Sequence, residues 1–209
     1  MSVGLFIDGA YVYKSFANYM DYKKLREHVE NWTNDTIDEG YFFNADTGNG
    51  RTEKLHNALS VPAPRGPGLR VKTYWSQTKQ LYWPSKYGGK PVENPDYPGT
   101  PFEQTTQKGV DVGLVFHMLR SYQNRKWDKL VLAAGDGDFY EPVQYLVEVE
   151  NVELYLIGSL RSISERLRPY ARAILEIDQE PSQNSLRFAG CLERSGLYCP
   201  SPVIASVAG

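Results

Sequence analysis

The chain has 209 residues, of which 41% are hydrophobic, and this length and composition suit one folded domain with a short appendage. Its net charge of -2 and its pI of about 6.0 argue against a protein coated by a generally basic nucleic-acid-binding surface. Two cysteines are too few for a disulfide framework or a zinc cluster, and the absence of a long apolar run or signal-peptide pattern predicts a soluble cytoplasmic protein.

The first third of the chain predicts a buried strand, a helical region and a second strand. Residues 3–7 form a short apolar run that ends at Asp8, so a carboxylate stands at the carboxyl end of the first strand. Asp8 also fits the N-cap of the helix that follows, and both interpretations remain open. The next segments predict helices interrupted at Asp21, a strand and a short helix, at residues 11–32, 36–45 and 51–59.

Residues 61–107 differ in composition from the rest, because they contain eight of the chain's 13 prolines. Residues 69–75 and 80–83 predict a pair of strands. Residues 84–107 predict a long irregular loop, since they show no helical period. We interpret residues 61–107 as a loop and hairpin insertion in the domain, and loops of this length are usually functional or mobile.

Aromatic residues are interleaved with lysines and an arginine in this segment. Such a surface can stack bases and contact the phosphates of single-stranded nucleic acid. The alternative is that the rings pack the loop against the edge of the sheet. We favour packing for Trp75 and Trp83, and we leave both interpretations open for Tyr87 and Tyr97.

The next helix opens at residues 108–119, with Asp111 in its first turn. At helical spacing Asp111 shares a face with Val115 and Met118, which predicts that it lies on the core side of the helix. A carboxylate on an apolar face is costly unless it is paired, capped or bound to a metal. Lys108, just before this helix, is either an ordinary solvated lysine or a ligand for a phosphate group.

Residues 130–139 begin as an apolar run, which predicts a strand buried on both faces, and continue as a glycine turn that contains Asp136 and Asp138. The segments after the turn predict a helix and another strand, at residues 139–149 and 152–157. Such a unit joins parallel strands, and ligands bind open parallel sheets at the carboxyl ends of the strands. Asp138 also fits a helix N-cap with Glu141 as its capping-box partner, whereas Asp136 has no such structural role.

The last part of the predicted domain contains a basic cluster. Residues 162–169 predict a capped helix, and residues 173–177 predict the final apolar strand. A run of charge is usually a solvated face, but a basic rim beside an acidic site would hold a polyanion. The arginines of this cluster are Arg161, Arg166, Arg168 and Arg172. Residues 181–194 predict a further helix, and we divide the chain into a domain at residues 1–178 and a carboxyl-terminal extension at residues 179–209.

Four aspartates can meet at one edge of a parallel sheet, namely Asp8, Asp111, Asp136 and Asp138. A cluster of carboxylate oxygens without nearby His or Cys suits a hard cation such as Mg²⁺ or Mn²⁺ and disfavours zinc. Such a cation can activate water and stabilise charge in the hydrolysis of a phosphodiester. The chain contains no phosphate-binding P-loop, no dinucleotide-binding fingerprint and no nucleophile elbow.

Three ordered motifs, at residues 6–9 (FIDG), 108–112 (KGVDV) and 134–139 (AGDGDF), resemble the signatures of the NYN domain in its LabA-like branch, a member of the PIN-like nucleases. The resemblance spans roughly residues 1–178. It implies an α/β fold, a Rossmann-like three-layer sandwich with a mainly parallel central sheet, and metal-dependent ribonuclease activity through metal-activated water. It casts four residues as catalytic and metal-binding acids, namely Asp8, Asp111, Asp136 and Asp138.

Two positions depart from the family pattern. This chain has Tyr11 where the family commonly has Asn, and His117 where it often has a further Asp. These departures motivate an alternative, a catalytically weak or inactive RNA-binding or protein-interaction module with the same fold. A third reading, nucleotide-sugar transfer through Asp136 and Asp138, leaves the other two aspartates unexplained.

An RNA substrate, single-stranded by preference, follows from the nuclease hypothesis. Mg²⁺ or Mn²⁺ is the expected cofactor, no membrane partner is expected, and an oligomer is left open. The residues that we expect to contact nucleic acid are Lys108, Arg161, Arg166, Tyr87 and Tyr11.

Overall fold

The computed structural model describes residues 1–16, 20–46, 51–177 and 188–189. The strands are β1 (Ser2–Asp8), β2 (Thr36–Asp46), β3 (Arg70–Gln80), β4 (Glu93–Asn94), β5 (Tyr97–Pro101), β6 (Glu103–Gln107), β7 (Lys129–Ala133), β8 (Glu153–Gly158), β9 (Ala171–Ile177) and β10 (Phe188–Ala189). The helices are α1 (Gly9–Phe16), α2 (Tyr22–Thr33), α3 (Arg51–Leu59), α4 (Val110–Arg125) and α5 (Tyr140–Gln144), which continues as a π-helical turn over Tyr145–Val149.

The central sheet has the order β10-β9-β8-β7-β1-β2-β3-β6 in the described part of the chain. All its neighbouring strands from β9 to β3 are parallel, and β10 and β6 are antiparallel additions at the two edges. The chain moves outward from β1 through β2 and β3 and then returns to β7 on the other side of β1. The strand order therefore reverses between β1 and β7, and such a switch point is where open α/β sheets bind ligands.

The sheet separates two apolar cores, as expected for strands buried on both faces. Along β1, Phe6 faces the core covered by α4 and α5, whereas Leu5 and Ile7 face the core covered by α1, α2 and α3. Trp127, fully buried just before β7, packs against Phe6. The predicted α/β fold with a mainly parallel sheet between two helical layers is confirmed.

Most of the elements predicted for the main sheet are confirmed. Strands cover residues 3–7, 36–45 and 173–177, as their apolar and aromatic runs predict. Asp21 caps α2 by accepting hydrogen bonds from the backbone N–H groups of Lys23 and Lys24, each at 3.1 Å. The short helix after β2 is present as α3, with the predicted bounds.

The prediction for residues 69–107 is wrong in two respects. The strand that follows residue 69 continues to Gln80 as β3, whose first half pairs with β2 and whose second half pairs with β6 rather than with residues 80–83. Residues 84–107 contain β4, β5 and β6 instead of an irregular loop. Two prolines of this segment, Pro98 and Pro101, lie in β5, which is short and exposed, so that a missing N–H costs little there. We call residues 76–107 the arm.

The predicted helix at residues 162–169 is also wrong. This segment consists of turns, followed by a single 3-10 turn at Arg168–Tyr170. Its shape is fixed by the guanidinium of Arg168, which donates to the backbone carbonyls of Leu160 and Ile163, and by the burial of Ile163 and Leu167. Arg168 therefore stabilises this loop from within.

The predicted helix at residues 181–194 lies outside the described residues, apart from β10. That short strand pairs antiparallel with β9, so these two positions are extended rather than helical. In the ranges that the structure describes, no helix is both long and apolar enough to cross a bilayer.

Candidate active site

A cavity of about 710 Å³ opens at the carboxyl ends of β1 and β7, at the switch point of the sheet. We call it the acidic cleft. It collects side chains from α1, from the start of α4, from the turn after β7 and from the loop after β8. The charged and polar residues that the argument uses are Asp8, Tyr11, Lys14, Asp111, Asp136 and Arg161.

Asp8 is both a helix cap and a member of the acidic cleft. Its Oδ1 accepts hydrogen bonds from the backbone N–H groups of Ala10 at 2.9 Å and Tyr11 at 3.2 Å. Burial raises the pKa of the Asp8 carboxyl, the two backbone hydrogen bonds oppose this, and the charge of Asp111 raises it further. The capping interpretation is therefore confirmed, and because capping uses only one oxygen of the carboxylate, a role for Asp8 in holding a cation stays a prediction.

Asp111 does not lie on the core side of α4, so that prediction is wrong. The buried face of α4 is formed by Val110, Leu114 and Met118, which places Asp111 beside the apolar stripe and exposed to the acidic cleft. Met118 is buried as the predicted face requires, but Val115 is only partly buried, so Asp111 lies at the edge of the buried face. Burial raises the pKa of Asp111, and the charges of Asp136 and Asp138 raise it further.

Asp136, rather than Asp138, caps the turn after β7. Its Oδ1 accepts a hydrogen bond from the backbone N–H of Asp138 at 3.0 Å, and the fully buried Phe139 anchors the turn. The interpretation of Asp138 as the cap is therefore wrong. Asp136 lines the acidic cleft. Asp138 does not line it, but its charge lies near enough to raise the pKa of Asp111.

The acidic residues thus meet around Asp111, which interacts electrostatically with the other three. Within the residues that the structure describes, no three Asp, Glu, His or Cys side chains lie close enough together to hold a metal ion as they stand. The donor set itself is all carboxylate, which suits a hard divalent cation. A cation would also relieve the repulsion that raises the pKa values of Asp8 and Asp111.

Comparison with known proteins agrees with the architecture of the sheet. The sequence model of the family described as NYN domain matches residues 2–178. The chain belongs to the NYN domain family. NYN domains are generally ribonuclease-type hydrolases with a PIN-like fold.

The fold of this NYN domain is also similar to a crystal structure of a protein of unknown function, VPA0982, from Vibrio parahaemolyticus RIMD 2210633. The two share 16% sequence identity with a TM-score of 0.57, over 85% of this chain and 93% of that chain. At this identity the similarity shows the fold alone. Among curated proteins, none matches this chain.

Basic side chains complete the cleft of the NYN domain, but not all the predicted ones. Arg161 lines the acidic cleft and, in the described part of the chain, makes no ion pair. Arg166 lies with its guanidinium 4.2 Å from the ring centre of Tyr140, and Arg172 pairs with Glu153 at 2.8 Å.

Lys14 lines the cleft although the sequence did not single it out. Its position could have been inferred from the sequence. Helix α1 begins directly after Asp8, the last residue of β1, and Lys14 lies one helical turn after Ala10 on the same face of that helix. Its charge lowers the pKa of Asp8, against the larger effect of burial.

Tyr11 is held in the wall of the cleft. Its hydroxyl lies 2.7 Å from Oγ of Ser162, and its ring is packed so closely that a Cβ added at Gly135 or Gly158 would collide with it. Burial raises the pKa of the Tyr11 hydroxyl. The residue therefore ties α1 to the strand ends of β7 and β8, and a contact between Tyr11 and RNA stays a prediction.

The other two predicted contact residues lie outside the acidic cleft. Lys108 is exposed just before α4, and its backbone N–H donates to the carbonyl of Trp75 at 3.2 Å. Tyr87 is 65% exposed on the arm, with Nζ of Lys86 4.9 Å from its ring centre. Trp75 and Trp83 are 85% and 53% exposed, so the interpretation that they pack against the sheet is wrong.

Proposed function

We propose that this NYN domain is a metal-dependent ribonuclease that hydrolyses phosphodiester bonds of RNA. The observation that carries the proposal is the meeting of carboxylates from β1, from α4 and from the turn after β7 in one cleft. Burial, together with repulsion among them, raises the pKa values of Asp8 and Asp111, and a bound divalent cation would offset both effects. The residues proposed to hold Mg²⁺ or Mn²⁺ and to act in catalysis are Asp8, Asp111, Asp136 and Asp138.

The bound cation would supply activated water and stabilisation of the negative charge that develops on the phosphate. The chain's own residues bind and orient the substrate. Arg161 and Lys14, on the wall of the cleft, neutralise the phosphate that enters it, and the backbone caps of Asp8 and Asp136 fix the direction of both carboxylates.

The exposed surface of the arm favours single-stranded RNA as the substrate. Its exposed aromatic residues offer flat faces to unpaired bases, and its lysines offer charge to phosphates. The side chains in question are Tyr82, Trp83, Tyr87, Tyr97, Lys79, Lys86 and Lys90. Lys108 and Arg166 are proposed as further contacts along the same strand. Membership of the LabA-like branch and a cytoplasmic location stay predictions.

The test is incubation of single-stranded and structured RNAs with Mg²⁺ or Mn²⁺, comparing the wild type with Asp136→Asn. Asn keeps an oxygen that can accept the hydrogen bond from residue 138, so the variant should fold while losing the charge. We expect cleavage to fall by about 10²-fold or more. Asp21→Asn is the matched control, because Asp21 caps α2 in the same way but does not line the cleft.

A non-cleaving RNA-binding module is the second candidate, and one observation favours it. As noted above, the described acids do not stand close enough together for three of them to hold a metal ion. RNA that binds with a steep salt dependence and is never cut in Mn²⁺, by wild type or by Asp21→Asn, would establish this alternative over the nuclease.

A further inference from the structure

A second cavity, of about 240 Å³, lies between α4 and the strands β2 and β3. We call it the basic pocket. The residues that define it are Glu39 and Tyr41 of β2, Arg70 and Lys72 of β3, and His117 and Arg120 of α4. None of these residues lines the acidic cleft, so the two cavities are distinct sites on one helix.

Glu39 is neutralised inside the basic pocket. Its Oε1 lies 2.6 Å from Nη1 of Arg70, and its Oε2 accepts hydrogen bonds from the hydroxyls of Ser121 and Tyr41. Burial alone would raise the pKa of Glu39, but these partners hold it below its ordinary value. The carboxylate is therefore ionised and fully engaged with Arg70, and it does not cancel the remaining positive charge.

The remaining positive charge of the basic pocket lies on Lys72 and Arg120. In the described part of the chain, neither has a carboxylate within 4.0 Å, although Lys72 is half-buried. Nε of Arg125 lies 3.6 Å from Oε1 of Glu39 and 4.0 Å from Oδ2 of Asp38, so the charge of Arg125 is offset by these two carboxylates. The pocket thus holds two cationic side chains that are not paired with a carboxylate of the described residues. A half-buried lysine without such a partner is costly unless an anion binds beside it.

The ring of His117 lies against aromatic side chains of β2 in the basic pocket. It stacks on Tyr41 with ring centres 5.5 Å apart and an interplanar angle of 29°, and it lies 5.9 Å from Phe43. Burial lowers the pKa of His117, and the charges of Lys72 and Arg120 lower it further. The imidazole therefore offers its ring nitrogens in a positive environment, which is suited to bind an anion.

We propose that the basic pocket is a phosphate-binding site. A planar guanidinium, an ammonium, an imidazole and the amide of Asn124 form a donor set that matches the oxygens of a phosphate group. The volume lies below the roughly 300 Å³ at which pockets for whole drug-sized ligands begin, so the phosphate group itself is the recognised part.

The phosphate can come from a free nucleotide or from the backbone of RNA. His117 follows Asp111 by six residues on α4, which corresponds to about 9 Å along the helix axis. The same six residues rotate the position by about 240° around the helix, so an RNA strand that leaves the acidic cleft has to pass around α4 to reach the basic pocket. The RNA source rests on the proposed function, whereas the free-nucleotide source does not.

The test uses the histidine signals in the proton NMR spectrum, because the chain has three histidines, His28, His56 and His117. The probes are inorganic phosphate, adenosine monophosphate and a short single-stranded RNA, each added without divalent metal. We expect a saturable shift of the His117 signal, with His28 and His56 unchanged. A shift with the small probes identifies a free anion as ligand, and a shift with RNA alone identifies the backbone.

Two charge-removing variants complete the experiment. Lys72→Gln and Arg120→Gln should each weaken the probe's binding about tenfold, because each removes one charge-assisted hydrogen bond. Lys54→Gln, which removes an exposed charge on α3, should bind as the wild type does. A His117 signal that moves no more than the other two, or unchanged binding by both pocket variants with intact circular dichroism, would overturn the proposal.

The two proposals fail independently. Asp136→Asn should lose cleavage and keep the response of His117 to phosphate, whereas Lys72→Gln should weaken that response. If the wild type cuts no RNA but His117 still responds to phosphate, the basic pocket stands without the nuclease.

Discussion

The two cavities beside α4 place their carboxylates in opposite electrostatic environments. In the acidic cleft, Asp8 and Asp111 repel each other, and their pKa values are raised. In the basic pocket, Glu39 is paired with Arg70 and hydrogen-bonded to Ser121, and its pKa is lowered. The first arrangement lowers the stability of the folded protein, and the second raises it.

This difference separates a functional carboxylate from a structural one. A side chain that destabilises the fold is retained when it serves another purpose, such as holding a cation. A fully paired side chain is explained by the fold alone. The same reasoning, applied to cations, sets Lys72 and Arg120 apart from Arg70.

Removing a carboxylate from the acidic cleft should have the largest effect on activity. Asp111→Asn is expected to reduce RNA cleavage in Mn²⁺ by about 10²-fold or more, because it removes the acid that interacts with the other three. Its free energy of unfolding should match or exceed that of the wild type. Measurement of initial cleavage rates and of urea denaturation checks both parts. A variant that unfolds more readily and still cuts RNA would show that Asp111 is structural.

Removing the carboxylate of the basic pocket should lower the stability of the fold instead of preserving or raising it. Glu39→Gln is expected to lower the free energy of unfolding by about 1–3 kcal/mol, because it breaks a buried hydrogen-bond network and leaves Arg70 without its counter-charge. Chemical denaturation measures this change. Asp38→Asn is the control, since Asp38 is more exposed and only 4.0 Å from Arg125; a loss as large as that of Glu39→Gln would contradict the distinction.

The pH dependence of stability should differ in sign between the two sites. The pKa of Asp8 is raised in the folded protein. Its stabilising contribution to folding is therefore fully present below the unfolded pKa of about 3.9 and is lost as the pH rises through the folded pKa. Glu39 has a lowered folded pKa, so its contribution is present above about 4.3 and is lost as the pH falls.

Melting curves without divalent metal between pH 3.5 and pH 7 test this smaller effect. Relative to the wild type, Asp8→Asn should gain stability as the pH rises, and Glu39→Gln should lose it. Parallel curves for the two variants would show that the carboxylates are not in different electrostatic states.

The sequence predicted the strands that place the site better than it predicted side-chain directions. Apolar runs located β1 and β7, and Asp8 and Asp136 follow them directly, so their arrival at one sheet edge was foreseeable. The exposure of Asp111 was missed because it lies at the edge of the buried face of α4, where helical spacing alone does not separate a buried position from an exposed one. The cap after β7 was assigned to Asp138 because its spacing to Glu141 fits a capping box, whereas the chain first forms a 3-10 turn that Asp136 caps.

The arm and the basic pocket could not be predicted, for a different reason. The arm depends on pairing between β3 and β6, and proline-rich composition hides such strands. The basic pocket depends on the register between β2 and β3, which places Tyr41 beside Arg70, and on the packing of α4 across them. Contacts between residues so far apart in the chain leave no local periodicity.

Calorimetric titration of Mn²⁺ into the wild type, Asp111→Asn and Asp21→Asn tests the central claim most directly. The claim is that carboxylates from three elements form one site for a divalent cation. We expect saturable binding to the wild type and to Asp21→Asn, and weakening by about tenfold or more in Asp111→Asn. No binding to the wild type, or equal binding to all three proteins, would contradict it.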